Sequence, residues 1–154
     1  GNKPLDSGPR LRCAELGEDL KELIRREMVR SETLTEDDIK FFKRFIQLTE
    51  DGTVILTVDR SLVTQTELVL LYLMGRKLAH IAGLVDSPAA RLRDIAEALS
   101  LPATTVSPRL ANCVRYGEVK RGAAGYEIAI GGILSLKHRL QRLVEPTREE
   151  GVSV

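Results

Sequence analysis

The chain has 154 residues, of which 43% are hydrophobic and 29% charged, and its formal net charge is +1. A chain of this size can bury one good core and carry a helical appendage, but it is too short for most multidomain enzymes. The charge is unevenly distributed, with 10 Lys and Arg against 13 Asp and Glu in residues 1–59, and 7 against 2 in residues 101–144. The positive field therefore lies in the second half of the chain.

The two cysteines, Cys13 and Cys113, are far apart and in no Cys-x-x-Cys or Cys/His spacing. The sequence therefore suggests neither a zinc site nor a disulfide framework, and a reducing compartment fits best. No apolar run reaches the roughly 18 residues that a membrane helix needs, and no charged-then-apolar signal sequence opens the chain. We expect a soluble cytoplasmic protein without a membrane partner.

The first part of the chain predicts a tail followed by an amphipathic helix. Residues 1–10 contain Pro4, Gly8 and Pro9 and are predicted to be a mobile tail. A helix is predicted over residues 12–31, as a surface or dimerising helix. Its apolar stripe consists of Leu16, Leu20, Leu23, Ile24 and Met28.

A second helix is predicted to start near Thr35 and to end near Thr49. Its expected buried side is made of Ile39, Phe42, Phe45 and Ile46. The phenylalanines at positions 41, 42 and 45 are interpreted as a packing anchor rather than as a base-stacking platform of the kind found in single-strand binders. A turn follows, and the β-branched alternation of residues 53–58 predicts a strand.

Thr64 and Glu67 have the spacing of a capping box, which predicts the start of the longest helix. This helix should run to about Ala82 and stop at Gly83. Because residues 68–74 are nearly all apolar, the helix must be enclosed on several sides. Gly75 would let another backbone cross it closely.

Residues 92–130 predict two short helices followed by a hairpin. The first helix carries Leu92, Ile95, Ala96 and Leu99 at steps of three and four, and Leu101 and Pro102 end it. The second is predicted to start at Thr104 and Thr105, where a hydroxyl can cap it, and to end at Gly117. Its expected buried face is Val106, Leu110, Cys113 and Val114. With Thr104 as the cap, Pro108 falls near the end of the first turn, where proline is least damaging.

The hairpin is predicted from Lys120 and Arg121, a turn at residues 122–125, and an alternating strand over residues 126–130. Gly131 and Gly132 are expected to end it. A C-terminal helix to Val144 follows, with Ile133, Leu136, Leu140 and Leu143 on one face.

This succession resembles the winged helix-turn-helix DNA-binding family of the prokaryotic transcription-regulator type, over residues 62–144. The residues that carry the resemblance are Ala96 at the helix crossing, Ser100 in the tight turn, and Val106, Leu110, Val114, Gly117 and Val119 after it. The resemblance implies a mainly α fold with a small β-hairpin wing (α+β). The predicted divisions are a mobile tail (1–10), an N-terminal helical extension and strand (11–60), the winged helix-turn-helix domain (61–145) and a C-terminal tail (146–154).

The second helix of the pair is then the expected DNA reader. The predicted DNA-binding residues are Thr104, Thr105, Ser107, Arg109, Asn112 and Arg115 on the helix, and Lys120 and Arg121 on the hairpin. Because only Arg109 and Arg115 are charged on that helix, the hairpin must contribute to binding. We predict a small homodimeric transcriptional regulator on double-stranded DNA. The alternative is a protein–protein adaptor in a replication, transcription or RNA-processing assembly, because the same fold also serves protein contacts.

No catalytic constellation is recognisable in the sequence. His80 and His138 lie on separate predicted helices without a partner in a known motif and are interpreted as solvent-facing or satisfied. The glycines at 122–125 and 131–132 lack the neighbours of a phosphate loop. The carboxylates at 36–38 lie at a helix start, where the helix dipole favours negative charge. We expect no enzyme activity, cofactor or metal, and no small-molecule ligand is evident.

Overall fold

The computed structural model describes residues 19–29 and 34–144. They fall into two compact units, one that ends at residue 35 and one that starts at residue 36. The predicted tails at residues 1–10 and 146–154 lie outside the described residues, as do Cys13 and Leu16.

In the first unit, residues 19–28 form helix α1, which confirms the central part of the helix predicted over residues 12–31. Its large apolar side chains are exposed: Leu20 52%, Leu23 43%, Ile24 48% and Met28 78%. At 3.6 residues per turn these four positions cover an arc of roughly 140° on one side of the helix. We call these four side chains the α1 stripe.

The second unit is an alternation of helices and two short hairpins. Its elements are α2 (Glu36–Phe42), β1 (Ile46–Leu48), β2 (Val54–Leu56), a 3-10 turn (Arg60–Leu62), α3 (Gln65–Ile81), α4 (Leu92–Leu99), α5 (Ala103–Arg115), β3 (Val119–Gly122), β4 (Gly125–Ile128), α6 (Ile130–Leu140) and a closing 3-10 turn (Gln141–Leu143). Both strand pairs are antiparallel. The described chain is therefore mainly helical with small antiparallel hairpins, an α+β fold.

The long helix α3 is the centre of the second unit. Its residues 68–75 are buried, and α4, α5, α6, β4 and both strands of the first hairpin contact it. The Thr64 hydroxyl accepts from the Glu67 N–H at 3.1 Å, and the Glu67 carboxylate accepts from the Thr64 N–H at 2.9 Å, which confirms the capping box. After Ile81 the helix stops, and Gly83 follows with a φ of 79° that glycine adopts without strain.

Gly75 lies where the first hairpin packs on α3. A β-carbon on Gly75 would lie 2.5 Å from Cγ1 of Val54. The close approach expected at this glycine is therefore made by a side chain of β2, rather than by a crossing backbone.

The second predicted helix is wrong in its C-terminal half. The observed helix α2 ends at Phe42, and Ile46 lies in β1. The Phe45 carbonyl accepts from the Thr57 N–H at 2.8 Å, which extends the pairing of the first hairpin. β2 lies within the strand predicted at residues 53–58. The pairing of β1 with β2 therefore determines the structure of residues 46–48, although the spacing of the apolar side chains up to Ile46 is typical of a helix.

The buried face of α2 also differs from the expectation. Ile39 is 50% exposed, and the carboxylate of Asp38 is buried in its place. The Nζ of Lys137 on α6 lies 2.7 Å from Oδ1 of Asp38, so the buried charge has a partner. Of the three phenylalanines interpreted as a packing anchor, Phe42 and Phe45 are buried as expected and Phe41 is half-buried.

The helix α6 starts earlier than predicted. The strand expected at residues 126–130 ends at Ile128, and Gly131 and Gly132 lie in the first turn of α6 rather than in a loop. A β-carbon on Gly132 would overlap the carbonyl oxygen of Glu118. The glycine therefore allows the start of α6 to pack against the backbone that leads into β3.

The apolar face of the C-terminal helix is present as predicted, because Ile133, Leu136 and Leu140 are buried. Leu143 lies in the closing 3-10 turn and is half-buried. Over residues 19–29 and 34–144, no helix has both the length and the apolar character needed to cross a bilayer.

Candidate nucleic-acid interface

A tight turn at Ser100 joins α4 to α5. Ser100 has a φ of 55°, and the Leu101 N–H donates to the Ala96 carbonyl at 3.0 Å across the turn. Ala96, Ile95 and Leu99 are buried beneath it, so the predicted helix pair and its turn are confirmed.

The start of α5 differs from the prediction. Thr104 and Thr105 do not cap the helix, because it begins at Ala103 with Pro102 in the cap position. The Pro102 carbonyl accepts from the N–H groups of Thr105 and Val106 at 2.9 and 3.1 Å. Pro108 therefore lies in the second turn, where its missing N–H removes one helical hydrogen bond, to the carbonyl of Thr104.

The buried side of α5 is narrower than expected. Val106, Leu110 and Cys113 are buried as predicted, but Val114 is 37% exposed. At 3.6 residues per turn, Val114 lies roughly 80° around the helix from Val106, outside the covered arc.

The Cys113 thiol is buried and has a raised pKa. Burial, together with the neighbouring Glu118 carboxylate, raises the pKa of Cys113 to about 12. The thiol is therefore protonated near neutral pH and does not suit a nucleophile or a metal ligand.

The predicted DNA contacts on α5 differ in exposure. Thr104, Ser107, Asn112 and Arg115 are exposed, and Thr105 and Arg109 are half-buried. The Nε and Nη2 atoms of Arg109 lie 3.4 and 3.3 Å from Oε1 of Gln65 at the start of α3. Both hydrogen bonds are long, so they hold the guanidinium only weakly.

On the hairpin, Lys120 and Arg121 are both exposed. The Arg121 guanidinium lies 5.3 Å from the centre of the Tyr126 ring, its cross-strand partner. This cation–π contact favours one orientation of the arginine. Lys120 lies opposite Glu127, whose carboxylate offsets part of the lysine charge.

A short backbone bridge attaches the hairpin to the chain before α4. Ala90 and Tyr126 exchange two N–H to carbonyl hydrogen bonds of 2.9 and 2.8 Å. Gly125 has a φ of 121°, and a β-carbon there would lie 2.5 Å from the Ala90 carbonyl oxygen. Arg91 donates to the Ala123 carbonyl at 3.3 Å. The hairpin turn and the start of α4 are therefore held together.

Three basic residues in the second half of the chain form ion pairs with carboxylates of the second unit. Lys137 pairs with Asp38 at 2.7 Å, Arg142 with Glu67 at 3.0 Å, and Arg139 lies 3.8 Å from the Glu118 carboxylate. Seven basic residues lie between positions 101 and 144, and those that form no ion pair among the described residues are Arg109, Arg115, Lys120 and Arg121. The unpaired positive charge is thus concentrated on α5 and the hairpin.

Sequence reasoning missed two residues that contact α5 or the β3–β4 hairpin: Gln65 and Arg91. Arg91 is exposed at the start of α4, and a charge count that began at residue 91 could have found it. No local sequence pattern indicates the contact of Gln65 with Arg109, because the two residues are 44 positions apart in the chain.

Among the described residues, no group of three or more His, Cys, Asp and Glu side chains is arranged to hold a metal ion. No family model, curated protein or solved structure matches this chain.

Proposed function

We propose that the second unit binds double-stranded DNA sequence-specifically as a winged helix-turn-helix, with α5 as the recognition helix and the β3–β4 hairpin as the wing. The observation that supports this proposal is the concentration of unpaired positive charge on these two elements. The helix α5 also contains no acidic residue, so that its outward side does not repel phosphates.

The outward side of α5 suits close contact with base edges. Thr104, Pro108, Ala111 and Arg115 repeat at steps of four and three, and all four are exposed. Since Pro108 and Ala111 are small, the helix backbone can approach the floor of a major groove. Thr104, Ser107 and Asn112 supply donors and acceptors there, and Arg109 and Arg115 can bond guanine or phosphate.

The hairpin supplies contacts that do not depend on sequence. Lys120 and Arg121 would lie on the sugar–phosphate backbone or in the minor groove next to the helix, as would Arg91 beside the hairpin turn. Such contacts position a protein on the duplex and carry most of its salt dependence.

We further propose that the protein is a homodimeric transcriptional regulator. Two readers on one duplex would compensate for the modest charge of each, and a two-fold axis would place the two α5 helices about 34 to 36 Å apart, one turn of B-DNA. The exposed α1 stripe supports the dimer, because soluble chains rarely leave large apolar patches uncovered.

The second candidate function is a protein–protein adaptor. The internal pairing of Lys137, Arg139 and Arg142 favours it, because this pairing reduces the positive charge that is free to meet a polyanion. An adaptor would bind its partner through α5 and the β3–β4 hairpin, and its affinity would depend only weakly on salt concentration.

The test is fluorescence anisotropy with a random duplex and with a duplex selected from a random pool, each at several salt concentrations. We expect a steep log–log decrease in affinity with salt. Arg109→Ala should lower the preference for the selected duplex by about 1 to 3 kcal/mol, whereas Lys120→Ala and Arg121→Ala should weaken all duplexes alike and lower the salt slope by about 1 each.

Arg44→Ala serves as the control, because Arg44 is an exposed arginine between α2 and β1 and belongs neither to α5 nor to the β3–β4 hairpin. It should bind both duplexes as the parent does. If the three interface variants also bind like the parent, or if duplex binding is absent at low salt, the DNA proposal is wrong and the adaptor function is favoured.

A further inference from the structure

We infer that an apolar groove on the second unit receives helix α1 of a second copy of this chain. The groove lies between α2, β1 and the last turns of α3, and its volume is about 350 Å³. It is lined by Ile39, Lys43, Ile46, Leu48, Leu78 and Ile81. The inference rests on the homodimer proposed above. It does not depend on DNA binding, because none of these residues lies on α5 or on the β3–β4 hairpin.

The groove is apolar and open. Ile39 and Ile81 are 50% and 58% exposed. Small-molecule sites combine an apolar lining with several convergent polar groups. Among the described residues that line this groove, only Lys43 is charged. An uncovered surface of this kind fits another apolar surface.

The α1 stripe has the pattern of a helix that lies in a groove. Such helices present anchors at spacings of three and four residues. Leu20, Leu23 and Ile24 have this spacing, and Met28 continues it one turn later. The stripe is about 12 Å long from the first anchor to the last at 1.5 Å per residue.

Charge complementarity links these two surfaces. Around α1, Glu27 lies between Leu20 and Leu23, within the apolar arc. Its ion pair with Arg26 is 3.5 Å long, and both side chains are more than 60% exposed, so the pair is weak. Lys43 has no ion pair among the described residues. An ammonium in an apolar groove and a carboxylate in an apolar stripe would each avoid an unpaired buried charge by meeting the other.

A second copy supplies both surfaces in equal number. When α1 of each copy occupies the groove of the other, the same contact forms twice and the assembly closes on a two-fold axis. Each contact then buries the stripe, the groove and one Glu27–Lys43 pair.

The test is sedimentation equilibrium of the full chain and its charge-reversal variants. Glu27→Lys or Lys43→Glu alone should raise the dimer dissociation constant by about tenfold or more, because each variant places like charges in a desolvated contact. The double variant should dimerise like the parent. A mixture of the two single variants should also form dimers, because each of its two contacts then joins opposite charges.

The isoleucine at the groove edge provides a second, uncharged test. Ile81→Ser should weaken the dimer, whereas Ile55→Ser should not, because Ile55 is a comparably exposed isoleucine (44%) outside the groove. Both positions are exposed, so circular dichroism should show folded protein in each case.

Three results would overturn the inference. A monomer for the intact chain at all concentrations excludes the dimer, and a dimer that is indifferent to both charge reversals excludes this contact. If the double variant is restored but the mixture is not, Glu27 and Lys43 do not meet across the dimer, which excludes the proposed contact. A charge-dependent dimer that does not bind duplex DNA would support the groove contact and contradict the proposed function instead.

Discussion

Leu110 and Val114 lie about one turn apart on α5 and have different surroundings. Leu110 is fully buried, whereas Val114 is 37% exposed. We therefore expect Leu110→Ala to lower the free energy of unfolding by about 2 to 5 kcal/mol, as large-to-small core changes do. Val114→Ala, the control on the same helix, should cost much less, and urea denaturation measures both. Equal losses would show that the orientation of α5 is wrong.

The sequence was sufficient to predict the burial of single residues only near the centre of an apolar face. Val106 and Leu110 repeat at a step of four and are buried, as the helical period requires. Val114 and Ile39 lie at the edges of their faces, and which edge is covered depends on the neighbouring element. The contact of Arg109 with Gln65 is likewise tertiary, and no local pattern indicates it.

At the scale of elements, the second hairpin depends on one glycine. Gly125 has a positive φ and lies against the Ala90 carbonyl, where a side chain does not fit. Gly125→Ala should strain the backbone and break the Ala90–Tyr126 bridge, which lowers the free energy of unfolding by about 1 to 3 kcal/mol. Thermal unfolding and the NMR shift of the Ala90 amide report this change.

Gly122 is the matched control, because it lies in the same hairpin and a β-carbon there would meet nothing within 4 Å. Gly122→Ala should leave the bridge and the midpoint close to those of the parent. If both variants behave alike, the close approach to Ala90 does not limit the choice of residue at position 125.

Elements with a local signal could be predicted, and those set by distant pairing could not. The capping box at Thr64, the stop at Gly83 and the glycine-flanked turn of the second hairpin are short-range patterns, and each is present. The end of α2 was missed because β1 exists only through its pairing with β2. The start of α6 was missed because Gly132 looked like a turn residue, whereas its actual role is packing against Glu118.

At the scale of the whole second unit, one ion pair ties the end of the described chain to its central helix. Arg142 bonds both carboxylate oxygens of Glu67 at 3.0 Å and also donates to the Leu62 carbonyl at 2.8 Å. Burial acts to raise the pKa of Glu67, but hydrogen bonds from Arg142 and from the Thr64 N–H, with the charges of Arg142 and Arg139, hold the pKa below its usual value.

The lowered pKa of Glu67 predicts a sensitivity to acid. The stabilisation is fully present above about pH 4.5, the usual value for the group, and is lost as the pH falls through the lower pKa of the folded state. Glu67→Gln can keep the cap but loses the charge. It should cost about 1 to 3 kcal/mol at pH 7 and progressively less at lower pH. Denaturant unfolding between pH 7 and pH 3 measures the difference.

Glu36→Gln is the control for the acid experiment, because the Glu36 side chain is 81% exposed and its ion pair among the described residues is the surface contact with Lys40. It should follow the pH dependence of the parent closely. A constant difference between Glu67→Gln and the parent at every pH would mean that the carboxylate charge does not contribute.

The enclosure of α3 by elements that follow it in the sequence affects folding during translation. On the ribosome, α3 is complete before α4, α5, β4 and α6, which cover it, have been synthesised. Until those elements emerge, α3 with its nearly all-apolar segment at residues 68–74 lacks four of the elements that contact it in the folded protein. Exposed apolar surface in a nascent chain attracts chaperones and promotes aggregation. A chain that terminates early, before α6, would therefore be a substrate for quality control rather than a smaller working protein.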